Sequence, residues 1–228
     1  MAFHPSTDVF DEIAPHPDGV DPASELVHER AYVVRAYRKD ASTLVLRGAV
    51  RDQKPPGLYI ADDADPMTVH HMMVDVHVAV PSMEITAAKA VLATHPHASC
   101  QRIEDHYDNL VGLSIARGFT HKVRELFGGP RGCTHTTALL QAMAPVAVQS
   151  MWSFRFAAAR ENPGSRPLDS PEARAQLVAN NLNTCHVWAE DGDHVAAIRS
   201  GEPHAVPVWI AKRLEALGRS PENWRSRK

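Results

Sequence analysis

The fold is decided by TLVLRGAVRDQK, residues 43–54, and MTVHHMMVDVHVAV, residues 67–80. In both stretches apolar and polar side chains alternate, which is the period of a half-buried β-strand. One face of the first stretch carries Leu44, Leu46, Gly48, Val50 and Asp52, and one face of the second carries Val74, Val76, Val78 and Val80. Pro55-Pro56-Gly57 stops the first stretch. These residues predict two neighbouring strands with one apolar face each.

The flanking segments extend this pair. HERAYVVRAYR, residues 28–38, is rich in β-branched and aromatic side chains and is joined to the first stretch by Lys39-Asp40-Ala41, which predicts a hairpin. MEITAAKAVLATHPH, residues 83–97, follows a short connection and is expected to be an antiparallel partner. The first half is therefore predicted to be a curved antiparallel β-meander of about four or more strands.

The second half changes to helical spacing. Apolar residues recur every three or four positions in QRIEDHYDNLVGL (101–113), FTHKVRELFGG (119–129), TTALLQAMAPVAVQSMWSFRFAAAR (136–160), 171–181 and VPVWIAKRLEALG (206–218). Asp191-Gly192 is expected to turn a small late hairpin within residues 183–198. A meander followed by helices predicts an α+β fold with the sheet packed against a mostly helical second half. We expect one domain over 25–228, preceded by a flexible arm over 1–24.

Composition narrows the function. The chain has 228 residues and a net charge of −3, so no general excess of positive charge is present to bind nucleic acid. No run of 18 apolar residues and no signal-peptide pattern occurs, so we expect a cytoplasmic protein that does not span a membrane. The three cysteines form no CxxC, and the motifs GxGxxG, GxxxxGK[ST], GxSxG and HExxH are missing. What remains is acid–base chemistry without a cofactor, an unusual metal site, or ligand binding.

The most informative stretch for chemistry is GGPRGCTH, residues 128–135. Glycines before a helix let the backbone approach a ligand, and Arg131 would add a bidentate donor. Cys133 and His135 lie in the first turn, where a neutral His135 could act as a general base. The alternative is structural, with the glycines ending one helix and His135 beginning the apolar stripe of the next.

A second candidate cluster lies on the sheet. Asp52 and Lys54 are two residues apart and are therefore expected to lie on the same face of the strand. They could form an ion pair, or Asp52 could hold Lys54 in place to polarise a substrate oxygen. His70 is expected to lie on the same face of the strand as the apolar valines, whereas His71 is expected to point to the opposite face. His70 is therefore the better candidate for a catalytic histidine, although a histidine on such a face can also be a core residue.

The 14 histidines form a surplus, and three of them lie close to cysteines: His97 with Cys100, His135 with Cys133, and His186 with Cys185. Thiolate and imidazole are the usual ligands of a tetrahedral zinc ion, so a metal site is one interpretation. The other is that these side chains line an organic-substrate pocket or the core. Candidate substrate-binding residues are Arg131, Tyr59, Cys133, Tyr107, Trp152 and His186.

These residues also carry a family resemblance. The chain resembles the bacterial DUF2889 family over roughly residues 28–198 through the following motifs: Asp52-x-Lys54-Pro55, Val69-His70-x-Met72, Leu110-x-Gly112-Leu113, Gly128-Gly129-x-Arg131-Gly132-Cys133-Thr134-His135 and Thr184-Cys185-His186-x-Trp188. The resemblance implies an enzyme of aromatic-compound catabolism, a lyase that removes a hydroxymethyl group as formaldehyde from a lignin-derived phenylcoumaran dimer. His135 or His70 would be the base, and Lys54, Arg131 or a tyrosine would stabilise a phenolate, with no cofactor.

Two other functions stay open at this point. One is a Cys/His metal-dependent hydrolase or lyase, and the other is a non-catalytic small-molecule-binding or sensor domain. The expected partner is a small aromatic molecule. The C-terminal amphipathic helix and the edge of the meander also offer surfaces for a homodimer.

Overall fold

The structure is a computed structural model that describes residues 18–19, 26–161, 170–201 and 206–221. Its contacts divide the chain into two compact units, Met1–Ser153 and Phe154–Lys228. The arm predicted over 1–24 lies almost entirely outside the described residues. Two compact units are compatible with one domain or with two, so the single domain predicted over 25–228 stays a prediction.

The first unit contains the predicted meander. Four antiparallel strands lie in sequential order in one open sheet, β1 (Glu29–Arg38), β2 (Thr43–Lys54), β3 (Met67–Ala79) and β4 (Ile85–Thr94). The alternating pattern gives each of the two central strands one buried apolar face, as predicted. Fully buried residues on these faces are Leu46 and Val50 on β2 and Val74 and Val76 on β3. The α+β class and the antiparallel sheet are thereby confirmed.

Helices follow the sheet. In the first unit these are a 3₁₀ helix (Cys100–Leu110), α1 (Phe119–Phe127), a short 3₁₀ turn (Gly129–Arg131) and the start of α2 (Thr134–Glu161), within which the unit boundary falls. The rest are α3 (Pro171–Asn181), a 3₁₀ turn (His186–Trp188), α4 (Asp193–Ser200) and α5 (Val208–Ala216). Every predicted helix is confirmed, the first as a 3₁₀ helix. Among the described residues, no helix is long and apolar enough to cross a membrane.

The late hairpin predicted within 183–198 is wrong. Residues from Asp193 onward form α4, with Gly192 at its N-cap and Asp193 in its first turn. A carboxylate there interacts favourably with the helix dipole. Val195 and Ile198 are both buried, so the segment has the three-residue spacing of a helix face.

The start of α2 packs closely against the middle of β2. A Cβ atom added at Gly48 would lie 2.6 Å from Met143 Sδ and 3.1 Å from Leu139 Cδ1. A side chain at position 48 would have to displace Met143, so glycine favours this close approach of helix to sheet. His135 lies one turn before Leu139 on the same face of the helix, and Asp52 lies further along the same face of β2. The close packing brings the N-terminal turn of α2 over the end of the strand.

Candidate functional site

Strand register builds the first part of the site. Arg30 on β1 pairs with Asp52 on β2, and Asp52 pairs with His70 on β3. Residues directly opposite each other in antiparallel strands point to the same face, so the three side chains form a row across the sheet. The pairing of β2 with β3 shifts immediately after Asp52, because Gln53 pairs with Thr68 and the register skips Val69 on β3. This is a β-bulge or irregularity beside the row.

Asp52 is the centre of the site. Its carboxylate is buried, and Arg30 donates to both oxygens, from Nε to Oδ1 at 2.6 Å and from Nη2 to Oδ2 at 2.7 Å. This bidentate geometry is the strongest form of a carboxylate–guanidinium interaction. The Arg30 hydrogen bonds hold the pKa of Asp52 below its ordinary value and raise the pKa of Arg30. Asp52 is thus a fixed anion at neutral pH.

Two imidazoles reach the same oxygen of Asp52. His70 Nδ1 lies 3.2 Å from Oδ2, and His135 Nε2, from the first turn of α2, lies 3.3 Å from it. A third imidazole, His28 Nε2, lies 3.8 Å from Oδ1. The structure therefore brings together Asp52, His70 and His135, three of the four predicted catalytic residues.

The rings of His70 and His135 also stack, with centroids 3.8 Å apart and an interplanar angle of 27°. Burial lowers the pKa of His135, and the charges of His70 and Arg30 lower it further, while Asp52 opposes them. A lowered pKa keeps His135 neutral at neutral pH, as a general base requires.

Cys133 contacts the site through His135. Its Sγ lies 3.6 Å from His135 Nδ1, on the side of the ring opposite to Asp52. The Cys133 backbone N–H donates to Tyr107 Oη at 2.8 Å. Tyr107 is fully buried, and burial raises the pKa of its hydroxyl. Tyr107 was predicted to bind substrate, but the structure gives its hydroxyl a supporting position behind Cys133.

Lys54, the fourth predicted catalytic residue, has different surroundings. In the described part of the chain the partners of Asp52 are Arg30 and the imidazoles. Lys54 instead borders a cavity of about 320 Å³. The cavity is lined by Leu26, His28, Glu29, Gln53, Lys54, Pro55, Pro56 and Pro66. His28 thus belongs both to the cavity and to the surroundings of Asp52.

The remaining predicted substrate-binding residues are dispersed. Arg131 donates from Nε to the carbonyl of Glu125 at 2.9 Å and so caps the end of α1. Tyr59 is 64% exposed in the connection between β2 and β3, and Trp152 is half-buried on α2. His186 begins a 3₁₀ turn in the second unit. Their role in substrate binding stays a prediction.

Sequence reasoning missed Arg30 and His28. The available signal was the alternation of HERAYVVR, which puts both residues on the same face of the first strand. Identifying them as site residues also requires the register that sets Arg30 opposite Asp52, and the hairpin signal alone does not fix that register.

The same three residues are the candidate metal ligands. Asp52, His70 and His135 each offer a ligand atom, and these atoms lie within 4.8 Å of one another. Two histidines and one carboxylate can hold iron or zinc. The fit is imperfect, because both oxygens of Asp52 already accept from Arg30, whose positive charge would oppose a cation.

Comparison with protein families matches residues 28–149 to a family described as "Protein of unknown function (DUF2889)". The match covers more than half of the chain and begins at His28. The chain belongs to the DUF2889 family. The matched part of this DUF2889 chain contains the side chains that surround Asp52 and also Cys133. The side chains around Asp52 are those of His28, Arg30, His70 and His135. Comparison with curated proteins finds no match, and comparison with solved structures finds none either.

Proposed function

We propose that this DUF2889 chain is a cofactor-independent lyase in which imidazoles held by Asp52 perform acid–base chemistry on an aromatic diol. The observation that supports the proposal is the contact of His70 Nδ1 and His135 Nε2 with one buried carboxylate oxygen. A carboxylate that orients an imidazole is the recurring arrangement around a general base.

The hydrogen-bond network suggests which nitrogens carry protons. An ionised carboxylate only accepts hydrogen bonds, so His70 presents Nδ1–H to Asp52 and keeps the lone pair of Nε2. His135 presents Nε2–H, and its Nδ1 lone pair faces Cys133. Within the described residues, His70 Nε2 is the imidazole nitrogen of this pair that is left to meet a substrate. We therefore assign His70 as the base that contacts substrate and His135 as its stacked partner.

Release of formaldehyde from a diol requires acid–base chemistry and no redox step. The base takes the proton of a primary alcohol, the C–O bond becomes a carbonyl, and the adjacent C–C bond breaks. The released electron pair forms a C=C bond as the ether C–O bond of the substrate ring breaks, and a cation or an acid must stabilise the oxygen that leaves. The proposed substrate class is a phenylcoumaran-type dimer, because opening its ether ring yields a phenolate that can accept the charge.

The cavity beside Asp52 supports an aromatic substrate. Leu26, Pro55, Pro56 and Pro66 supply apolar surface, and Lys54 supplies a positive charge at its border. Its volume of about 320 Å³ is at the lower end of the range for small-molecule sites. Lys54 would stabilise the phenolate, the role predicted from the sequence.

The test is formaldehyde release from a phenylcoumaran diol by the purified full chain. His70→Ala should lower turnover by roughly 10²-fold or more, because the proton acceptor is lost. His71→Ala is the matched control, since its side chain lies on the opposite face of the same strand, and it should retain turnover. Equal turnover in wild type and His70→Ala would remove His70 from the mechanism, and no formaldehyde from any aromatic diol would contradict the proposed activity.

The second candidate function is a metal-dependent hydrolase or lyase, and the grouping of two histidines and one carboxylate favours it. Metal analysis of the purified chain separates the two proposals. One equivalent of zinc or iron that is lost in His70→Ala and retained in His71→Ala would support the metal site. A metal content that does not differ between these variants would contradict it.

A further inference from the structure

The thiol of Cys133 has a base beside it that the lyase proposal does not use. Cys133 Sγ lies 3.6 Å from His135 Nδ1, and the other ring nitrogen of His135 faces Asp52 Oδ2 at 3.3 Å. Thiol, imidazole and carboxylate thus follow one another in a line. A nucleophile within reach of a base, with the base oriented by a third group, is the arrangement that activates a cysteine or serine.

Cys133 and His135 are close in sequence, but the other side chains that contact His135 come from separate parts of the fold. Asp52 comes from β2, and His70 from β3 stacks on the His135 ring at 3.8 Å, which fixes the plane of the imidazole. Asp52 can only accept, so Nε2 of His135 carries the hydrogen and Nδ1 has a lone pair toward the thiol. The thiol proton therefore has an acceptor in place.

Cys133 is itself held firmly. Its backbone N–H donates to the buried hydroxyl of Tyr107 at 2.8 Å. The preceding Gly132 packs so tightly that an added Cβ would lie 2.5 Å from the carbonyl oxygen of Phe127. On the other side, the Cys133 carbonyl accepts from the Thr137 backbone N–H at 2.9 Å. A nucleophile on a backbone held in this way is preorganised for attack. The Cys133 side chain is only partly buried, so a small reagent can reach it.

We propose that Cys133, His135 and Asp52 form a nucleophilic triad that transfers acyl groups from esters or thioesters of small carboxylic acids. As Sγ bonds to the carbonyl carbon, its proton passes to His135 Nδ1. The C–O or C–S bond of the ester then breaks, and His135 returns the proton to the leaving group. Water then attacks the acyl-thioester as His135 accepts its proton, the C–S bond to Cys133 breaks, and the proton passes to Sγ. The carboxylic acid is released and the thiol is restored with no net oxidation or reduction. This activity goes beyond the proposed lyase and needs no diol.

The probe for the test is p-nitrophenyl acetate, mixed with the full chain. We expect a burst that approaches one p-nitrophenolate per chain, with the acetyl group found on Cys133 by peptide mass spectrometry. Cys133→Ala removes the nucleophile and should abolish the burst. Cys185→Ala is the matched control, because Cys185 is an exposed free thiol outside the triad, and it should leave the burst intact.

The variant His135→Gln tests whether His135 acts as the base for the Cys133 thiol. Loss of the base should slow acetylation of Cys133 by roughly 10²-fold, while thermal unfolding shows that the variant is folded. A burst that survives in Cys133→Ala, or acetylation of Cys185 as fast as that of Cys133, would overturn the proposal. The assay contains no diol, so its outcome is independent of the formaldehyde assay, and either activity can fail alone.

Discussion

His70 and His135 stack with their ring centroids 3.8 Å apart and approach the same oxygen of Asp52. One histidine comes from a strand and the other from the first turn of a helix, so the tertiary fold creates the pair. Two imidazolium rings at this separation would repel each other, and the charge of His70 contributes to the lowered pKa of His135. A positive charge on His70 therefore disfavours a second positive charge on His135.

The first prediction concerns pH and stability. Burial lowers the pKa of His135 below its ordinary value of 6.5. The unfolded chain then binds a proton at a pH where the folded chain does not, so the free energy of unfolding rises with pH in that window. His135 contributes stability that is fully present above pH 6.5 and is lost as the pH falls through its lowered pKa. Urea unfolding of wild type and His135→Gln should show a smaller pH dependence in the variant. An unchanged slope would contradict this assignment.

The second prediction concerns the pairing of Arg30 with Asp52. Arg30→Ala leaves a buried carboxylate without its bidentate donor, which should lower the free energy of unfolding by about 2 kcal/mol. The matched control is Arg47→Ala, because Arg47 forms the same kind of pair with Asp75 but on an exposed part of the sheet. It should have a clearly smaller effect. Equal losses in the two variants, measured by denaturant unfolding, would show that burial of Asp52 does not matter.

The third prediction concerns the packing that positions His135. In Gly48→Ala the new Cβ would meet Met143 at 2.6 Å, and Met143 is fully buried. We expect a loss of about 1–2 kcal/mol from overpacking. Met143→Ala alone should also destabilise the chain by opening a cavity, but the double variant should be more stable than the sum of the two losses predicts. Strict additivity would mean that the helix does not approach the strand at Gly48.

Much of this architecture follows from local patterns. Alternation over residues 43–54 and 67–80 predicted β2 and β3. The same alternation favoured His70 over His71 as the histidine on the apolar face of its strand, and His70 lies against Asp52. Both predictions rest on the two-residue period of a strand, which depends only on neighbouring positions. The contact of His135 with Asp52 depends on how closely α2 approaches β2, and no local pattern encodes that distance.

The failures have physical causes as well. Counting two residues along β2 grouped Lys54 with Asp52, but that count does not determine which groups contact the carboxylate, and its partners are Arg30 and the imidazoles. Arg30 was missed because its role depends on the register between β1 and β2. The hairpin at Asp191-Gly192 was predicted from its turn dipeptide, whereas the same glycine precedes α4. A short turn signal does not distinguish a hairpin from the start of a helix when the flanking apolar residues are few.

The fourth prediction concerns the tautomers of the stacked pair, which test the central claim most directly. Long-range ¹H–¹⁵N correlation spectra of the imidazoles at about pH 7 report which nitrogen of each neutral ring is protonated. If Asp52 orients both rings, His70 should be the Nδ1–H tautomer and His135 the Nε2–H tautomer, with the assignments checked in His70→Ala and His135→Gln. A spectrum in which His70 carries its proton on Nε2 would contradict the account, because Nε2 would then have no lone pair to accept the substrate proton.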